Sequence, residues 1–113
     1  MLINPGYKKL AYNPRGYSTF SEFYAFYLGE HQNPICRRLH VLGTILGVMN
    51  LSYLLNAGLY NYLPLFTVPG YALAWIGHFF FEKNRPATFK HPIYSFIGDF
   101  RMTYEILSSQ REF

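Results

Sequence analysis

A long apolar stretch dominates the hydrophobic pattern of the chain. No Asp, Glu, Lys or Arg occurs between Leu39 and Phe81, and a membrane-spanning helix needs about 20 mostly apolar residues. The stretch is long enough for two such helices, with a reversal at Asn56–Asn61, where Asn and Gly favour a helix end and a turn. The pattern therefore predicts an apolar two-helix hairpin over residues 39–81.

The second limb of this hairpin contains the pair Pro69-Gly70. A proline inside a membrane helix produces a kink that neighbouring groups accommodate, so we expect a kinked helix there. A helix that began at Pro69 would be too short to cross a bilayer, and the hairpin would then be re-entrant. The other alternative is a buried hairpin in a soluble protein, although such helices rarely lack charge over this length.

One more helix is predicted on each side of the hairpin. The first covers Thr19–Glu30, where Thr19 and Glu22 form the T-x-x-E capping-box pattern. The second starts at Pro92 or Ile93, and its apolar residues share one helical face: Ile93, Phe96, Ile97, Phe100, Tyr104 and Leu107. Each helix is expected to lie at the membrane interface or to pack in the core. With an irregular segment over residues 1–17, the predicted fold is an all-α, small helical membrane protein with one domain, residues 1–113.

Composition and charge favour a lipid environment. Charged residues make up 14% of the chain, against about a quarter in an average soluble domain. The net charge of +4 suits an anionic surface, but no basic helix or RNA-binding motif indicates nucleic acid. Basic residues flank the hairpin on both sides and its turn has none. The positive-inside rule therefore predicts an integral membrane protein with both termini in the cytoplasm.

Three of the four histidines are predicted to converge. His31 ends the first helix. Asn33 and Pro34 are then expected to start the next helix, as its N-cap and its first helical residue. His40 therefore lies about two turns into that helix. His78 lies near the charged end of the second limb, at a similar depth in an antiparallel hairpin. Small residues, which allow helices to approach closely, share a face with each of these two: Gly43, Thr44 and Gly47 on the first limb, and Gly70, Ala74 and Gly77 on the second.

Glu82 follows His78 by four residues, and side chains at this spacing are neighbours on a helix. Glu82 is therefore expected to ligate a metal or to orient the imidazole. Histidines with a carboxylate and open coordination positions suit non-haem iron and oxygen chemistry. The alternatives are a bis-histidine haem site and a non-catalytic membrane scaffold whose histidines only hydrogen-bond between helices. His91, outside the hairpin, is expected in a loop or as a fourth nitrogen ligand.

Four basic residues lie close to the histidines in the sequence: Arg37, Arg38, Lys83 and Arg85. The forked donors of arginine suit a substrate carboxylate. The same side chains suit the phosphates of membrane lipids, which we favour. Cys36 is the only cysteine, so an intramolecular disulfide and a Cys-rich zinc site are excluded. We expect Cys36 to be a reduced thiol without a role.

Two motifs resemble a known family. His31 through His40 has the form H-x-N-P-x5-H, and Gly77 through Ala87 has the form G-H-x3-E-K-x-x-P-A. Together with the segments Phe23–Tyr27 and Gly98–Met102, this pair resembles the DUF962, or Mpo1-like, family. The resemblance extends from Thr19 to Leu107.

The resemblance implies a multi-pass membrane protein and an enzymatic activity. The implied reaction is an iron-dependent, dioxygenase-type α-oxidation, in which a 2-hydroxy fatty acid and O2 yield a fatty acid one carbon shorter. The resemblance carries the Fe²⁺ ligands over to His31, His40 and His78, with Glu82 in or beside the coordination shell. Metal-dependent oxidation of another lipid is an alternative, because a bacterial-type member, in the inner membrane, need not meet the same substrate.

Overall fold

The computed structural model describes residues 2–113, which contain four α-helices and no strand. The helices are α1 (Phe20–Gly29), α2 (Pro34–Asn56), α3 (Val68–Ile76) and α4 (Pro92–Leu107). A 3₁₀-helix (Tyr60–Leu65) precedes α3, a π-helical segment (Gly77–Glu82) continues it, and a short 3₁₀-turn (Ala87–Phe89) leads into α4. Residues 2–19 have no regular secondary structure, as predicted, and Met1 lies outside the described residues. The predicted all-α fold is confirmed.

The first limb of the hairpin is the continuous helix α2. Asn33 is its N-cap, because Asn33 Oδ1 accepts from the backbone N–H groups of Ile35 (2.8 Å) and Cys36 (3.3 Å). The helix ends at Asn56, and Gly58 takes a φ of 70° in the reversal that follows. The predicted restart at Asn33 and the predicted turn after Asn56 are both confirmed.

The second limb differs from the prediction. It is a helical path of 23 residues, Tyr60–Glu82, but its interruption lies at Phe66 and Thr67, between the 3₁₀-helix and α3. Pro69 stands in the first turn of α3, where proline fits because the first backbone N–H groups of a helix have no intrahelical partner. The predicted kink at Pro69-Gly70 is therefore wrong.

Both limbs present most of their apolar side chains outward. Each of the segments Pro34–Asn56 and Tyr60–Glu82 is long and apolar enough to cross a membrane, and only 28% and 17% of their most apolar windows are buried inside the protein. A core helix of a soluble protein would instead be mostly buried. Large exposed side chains such as Leu42, Met49 and Phe80 lie along this surface. The exposure argues against the soluble-hairpin alternative.

The aromatic core lies beside the hairpin, around α1. Of the two alternatives for α1, core packing is the one observed, because its aromatic side chains are enclosed by the N-terminal segment and α4. The buried apolar core consists of Tyr7, Phe23, Tyr24, Phe26, Tyr27, Leu28, Val41, Met102 and Ile106. The helix α4 differs, since the apolar stripe from Ile93 through Ile97, Phe100 and Tyr104 to Leu107 is exposed, as expected for a helix at a membrane interface.

A buried ion pair anchors the C-terminal segment to this core. Glu105 in α4 accepts from Tyr24 Oη (2.6 Å) and from the Nε atoms of Arg101 and Arg111 (both 3.0 Å). The Arg111 side chain is fully buried and also donates to backbone carbonyl oxygens of the N-terminal segment at 2.6 and 2.8 Å. The N-terminal segment from Ile3 and the C-terminal segment therefore meet at the open end of the hairpin, where Arg37 donates to the carbonyl oxygen of Phe113 (3.2 Å).

Candidate metal centre

Three imidazole rings meet where the end of α1, α2 and the π-helical segment come together. His31 follows α1, His40 is on α2, and His78 is in the π-helical segment. Their ring centroids are 4.4 Å apart for His31–His40, 4.7 Å for His31–His78 and 4.7 Å for His40–His78. The exposed fractions of the three residues are 0%, 4% and 2%. The predicted convergence of these residues is confirmed.

Glycines bring α2 and the second limb close enough for this convergence. A Cβ atom on Gly43 would lie 2.9 Å from the carbonyl oxygen of Gly70, and a Cβ on Gly70 would lie 2.9 Å from that of Gly43. Nearer the histidines, a Cβ on Gly77 would lie 3.1 Å from both Cα and Sγ of Cys36. The two backbones are therefore in direct contact across the predicted small-residue faces.

Each histidine uses its Nδ1 atom in a hydrogen bond to an oxygen. The partners are the backbone carbonyl of Tyr27 for His31 (2.6 Å), the backbone carbonyl of Cys36 for His40 (2.8 Å), and Asn84 Oδ1 for His78 (2.6 Å). Because these oxygens only accept hydrogen bonds, each Nδ1 atom carries the ring proton. Each Nε2 atom is then left with a lone pair, which is the form in which imidazole binds metals.

Asn84 positions His78 from the turn that ends the second limb. Lys83, with a φ of 59°, caps the π-helical segment after Glu82. The turn directs the backbone N–H of Asn84 to the carbonyl oxygen of His78 (3.0 Å). The Nδ2 atom of Asn84 donates to the carbonyl oxygen of Glu30 (3.1 Å). This second bond fixes the side-chain amide so that its oxygen faces the imidazole.

The donor set fits a metal ion. Nε2 of His31 and Nε2 of His40 are 3.1 Å apart, and with both protons on Nδ1 no hydrogen lies between them. Two lone pairs at this distance repel each other unless a cation lies between them. Two nitrogens that are each about 2.1 Å from one ion lie ~3.0 Å apart at a right angle and ~3.4 Å apart at a tetrahedral angle. The observed separation lies within this range.

Burial favours the neutral form of this group. It lowers the pKa of His31 well below its ordinary value, and the neighbouring His40 and His78 lower it further, because positive charges on adjacent rings would repel each other. Tyr27, whose ring centroid is 4.1 Å from that of His31, donates its hydroxyl proton to the Asp99 carboxyl group. Burial also raises the pKa of Asp99 to about 7. Because the pKa of His31 itself is lowered, its ring stays neutral at neutral pH and its Nε2 atom keeps the lone pair.

Cys36 is a member of this group that the sequence analysis missed. It is fully buried, and its Sγ atom is 3.7 Å from Nδ1 of His40. The candidate ligand atoms of Cys36 and the three histidines all lie within 4.8 Å of one another. The available signal was the position of Cys36 four residues before His40, which puts the two side chains on one helical face.

The structure does not bring Glu82 into this group. Its carboxylate accepts the backbone N–H groups of Gln32 (3.1 Å) and Asn33 (2.6 Å), and so fixes the turn between α1 and α2. The predicted placement beside His78 is not observed, because residues 77–82 are π-helical and the wider turn changes which residues share a face. His91 also lies outside the group, hydrogen-bonded to a tyrosine of the N-terminal segment at 2.9 Å.

The four basic residues do not share one site. Arg37 is buried, and its Nη1 atom donates to two backbone carbonyl oxygens between α1 and α2 at 2.7 and 2.8 Å. Its guanidinium group therefore stabilises the connection between α1 and α2, which argues against the predicted contact with a substrate or a lipid. Arg38, Lys83 and Arg85 are exposed, and Arg85 lines a separate pocket beside His91.

Comparison with known protein families supports the family assignment of the histidine motifs. A family profile described as "Mpo1-like: 2-hydroxy-palmitic acid dioxygenase Mpo1-like" matches residues 17–111. No curated protein and no solved structure matches the chain. The matched range includes α1 to α4 and both histidine motifs, and therefore every residue of the three-histidine group.

Proposed function

Because this chain belongs to the Mpo1-like family, we propose that it is an iron-dependent dioxygenase that converts a 2-hydroxy fatty acid and O2 into a fatty acid one carbon shorter. One observation carries the proposal: three buried imidazoles converge, and each has its Nδ1 atom bonded to an oxygen and its Nε2 atom left free. Three neutral imidazoles with open coordination positions suit non-haem iron. The family description names a dioxygenase of 2-hydroxy-palmitic acid.

The hairpin enters the lipid bilayer in this proposal. Its outward apolar surface supports a membrane location, because a large exposed apolar area is unfavourable in water. Arg38, Lys83 and Arg85 are exposed near the open end of the hairpin and suit the phosphates of lipid headgroups. By the positive-inside rule, we propose that this end, with both termini, lies in the cytoplasm.

The residues around the site hold it in a form ready for metal. His31, His40 and His78 would bind Fe²⁺, and their Nδ1 partners keep the rings neutral and fixed in orientation. When bound, iron supplies Lewis acidity for the hydroxy acid and the electron transfer that O2 requires. Glu82 acts as a positioning residue, because its bonds to the Gln32–Asn33 turn fix the spacing between His31 and His40.

The proposed reaction balances without a second co-substrate. The bond between C1 and C2 of the 2-hydroxy acid breaks, C2 becomes the new carboxyl carbon, and C1 leaves as CO2. The substrate loses four electrons in this step, and one O2 molecule accepts them. One oxygen atom of O2 enters the new carboxyl group, and the other leaves as water with two hydrogen atoms from the substrate. The assay therefore needs only iron, O2 and the hydroxy acid.

The test is to load the purified, detergent-solubilised protein with Fe²⁺ under anaerobic conditions and then to add O2 and 2-hydroxypalmitate. Metal content is measured by elemental analysis and product chain length by mass spectrometry. We expect bound iron and the 15-carbon acid from the unsubstituted protein. His40→Ala and His78→Ala should lose both, whereas His91→Ala, which removes a histidine outside the group, should keep both.

Each other outcome has a distinct meaning. Full iron content in His40→Ala or His78→Ala would contradict the assigned ligands. Bound iron with oxidation of a different lipid would favour the other-lipid alternative over the 2-hydroxy acid. An unsubstituted protein that binds no metal would favour the non-catalytic scaffold, and a haem absorption band would identify the haem alternative.

A further inference from the structure

A groove leads away from the three-histidine group between α2, α3 and α4. Its enclosed volume is about 40 Å³, and it is partly open to the surroundings of the hairpin. His40 and Asp99 are among its lining residues, as are Phe66 and Phe96. Asp99 accepts from Tyr27, which packs against His31, whereas Phe66 lies beside Gly47. The rings of these two phenylalanines meet edge to face with centroids 6.3 Å apart. Because His40 belongs both to the groove and to the metal-binding group, the two adjoin at this residue.

Glycine forms the floor of the groove along α2. Gly43 is covered by the backbone of Gly70, but a Cβ atom on Gly47 would meet only the carbonyl oxygen of Phe66, at 3.9 Å. The helix rises ~10 Å between His40 and Gly47. The space above Gly47 therefore exists because no side chain fills it, and it runs lengthwise from the metal-binding end.

We propose that this groove holds the alkyl chain of the 2-hydroxy acid, with the carboxyl end of the acid at His40 and Asp99 and its chain above Gly47. The inference rests on the proposed function and deepens it. His31 and His78 are enclosed by protein, whereas His40 borders the groove. A substrate whose first two carbons lie at the histidines must therefore extend its chain along the groove.

The walls favour an alkyl chain over a peptide segment. The aromatic rings of Phe66, Phe96 and Phe100 offer mainly apolar contact, and a peptide backbone there would leave polar groups without hydrogen bonds, at considerable cost. Asp99 is the acidic exception, and it lies at the metal-binding end. Within residues 2–113 its carboxyl group has one hydrogen bond, from Tyr27, so its second oxygen can meet the hydroxyl group of the substrate.

The test uses a 16-carbon 2-hydroxy acid with a diazirine in the middle of its chain. The probe is photolysed with the iron-loaded protein in the absence of O2, and labelled peptides are identified by mass spectrometry with and without excess 2-hydroxypalmitate as competitor. Competed labelling is expected on α4 near Phe96 and Phe100. Gly47→Leu fills the groove and should reduce this labelling about tenfold or more, since several buried methylenes lose their contacts.

Val48→Leu is the matched control. It puts the same side chain on the next residue of α2, which is 48% exposed, and labelling should not change. Iron content checks that Gly47→Leu keeps its fold. If that variant does not fold, Phe100→Ala gives a second test, because it removes a wall of the groove without adding volume and should also weaken competed labelling.

The outcomes separate this inference from the proposed reaction. Equal labelling of Gly47→Leu and the unsubstituted protein, or competed labelling confined to outward residues such as Leu42 and Met49, would overturn the groove assignment. Groove labelling without any product would support the binding site and contradict the reaction. Conversely, conversion of 2-hydroxypalmitate with no labelling of α4 would support the reaction and refute the groove.

Discussion

The direct backbone contact between the two hairpin limbs makes Gly43→Ala an informative substitution. The added Cβ would lie 2.9 Å from the carbonyl oxygen of Gly70 and 3.1 Å from its Cα, whereas ordinary contacts begin near 3.4 Å. Both of these are backbone atoms, so neither can rotate away. The limbs must therefore separate by about 0.5 Å, the difference between the clashing and the ordinary distance.

This separation affects both stability and metal binding. Overpacking costs about 1–3 kcal/mol, and replacing glycine by alanine in a helix stabilises by about 1 kcal/mol, so the free energy of unfolding should fall by about 0–2 kcal/mol. Gly43 lies one helical turn from His40, and the displacement moves His40 relative to His78 by a similar distance. Because a site tolerates errors of only about 0.5 Å, we expect the affinity for Fe²⁺ to fall at least about tenfold.

Gly47→Ala is the matched control, since the same methyl group on the same helix finds its nearest atom at 3.9 Å. Both variants are compared by thermal unfolding in detergent and by anaerobic titration with Fe²⁺. We expect Gly47→Ala to match or exceed the unsubstituted protein in melting temperature and to keep its iron affinity. Equal behaviour of Gly43→Ala and Gly47→Ala in both measurements would refute the close-packing argument.

Three further substitutions test other contacts. Asn84→Ala removes the acceptor for Nδ1 of His78, so Fe²⁺ affinity measured by titration should fall about 10–100-fold; unchanged affinity would remove Asn84 from the site. Cys36→Ser should keep its iron, because the thiol contacts the Nδ1 side of a neighbouring imidazole, and loss of iron would identify Cys36 as a ligand. Glu105→Gln leaves the buried charge of Arg111 unpaired and should lower the free energy of unfolding by about 3–5 kcal/mol, measured by thermal or denaturant unfolding. Burial opposes ionisation, but hydrogen bonds and arginine charges lower the pKa of Glu105 from 4.5. Its stabilisation is therefore complete above pH 4.5 and is lost as the pH falls below that value, a loss that Glu105→Gln should not show.

Much of the hairpin could be predicted because its signals are local or strictly periodic. The absence of charge over residues 39–81 identifies an apolar unit, and Asn33 and Asn56 mark where its first helix begins and ends. Glycine at helical spacing identifies the faces that touch, since only glycine permits contact between backbones. With both faces known, the approach of His40 and His78 follows from antiparallel geometry.

The predictions that proved wrong concern residues whose positions depend on contacts between distant parts of the sequence. Whether residues 77–82 form an α- or a π-helix depends on how the chain leaves the segment at Lys83 and Asn84, and that choice moved Glu82 from the histidines to the Gln32–Asn33 turn. The role of Arg37 depends on carbonyl groups left free between α1 and α2. In α1, aromatic residues occur around nearly the whole helix, so periodicity alone could not distinguish a surface helix from a core helix.

The depth of the three-histidine group within the hairpin is compatible with the proposed single-chain lipid substrate. His40 lies six residues after the start of α2, or ~9 Å along its axis, and the 23 residues of the helix extend ~35 Å, slightly more than the ~30 Å of bilayer hydrocarbon. In the proposed orientation the group therefore lies ~6 Å inside the hydrocarbon boundary, a short distance below the level at which the carboxyl group of a membrane-bound fatty acid meets the headgroups. The substrate can present its first two carbons there while its chain stays in apolar surroundings, whereas extraction into water would cost about 0.8 kcal/mol for each methylene exposed. With a buried polar site at the end of an exposed apolar hairpin, the reacting atoms of the proposed substrate would lie among polar groups while its alkyl chain stays in apolar surroundings.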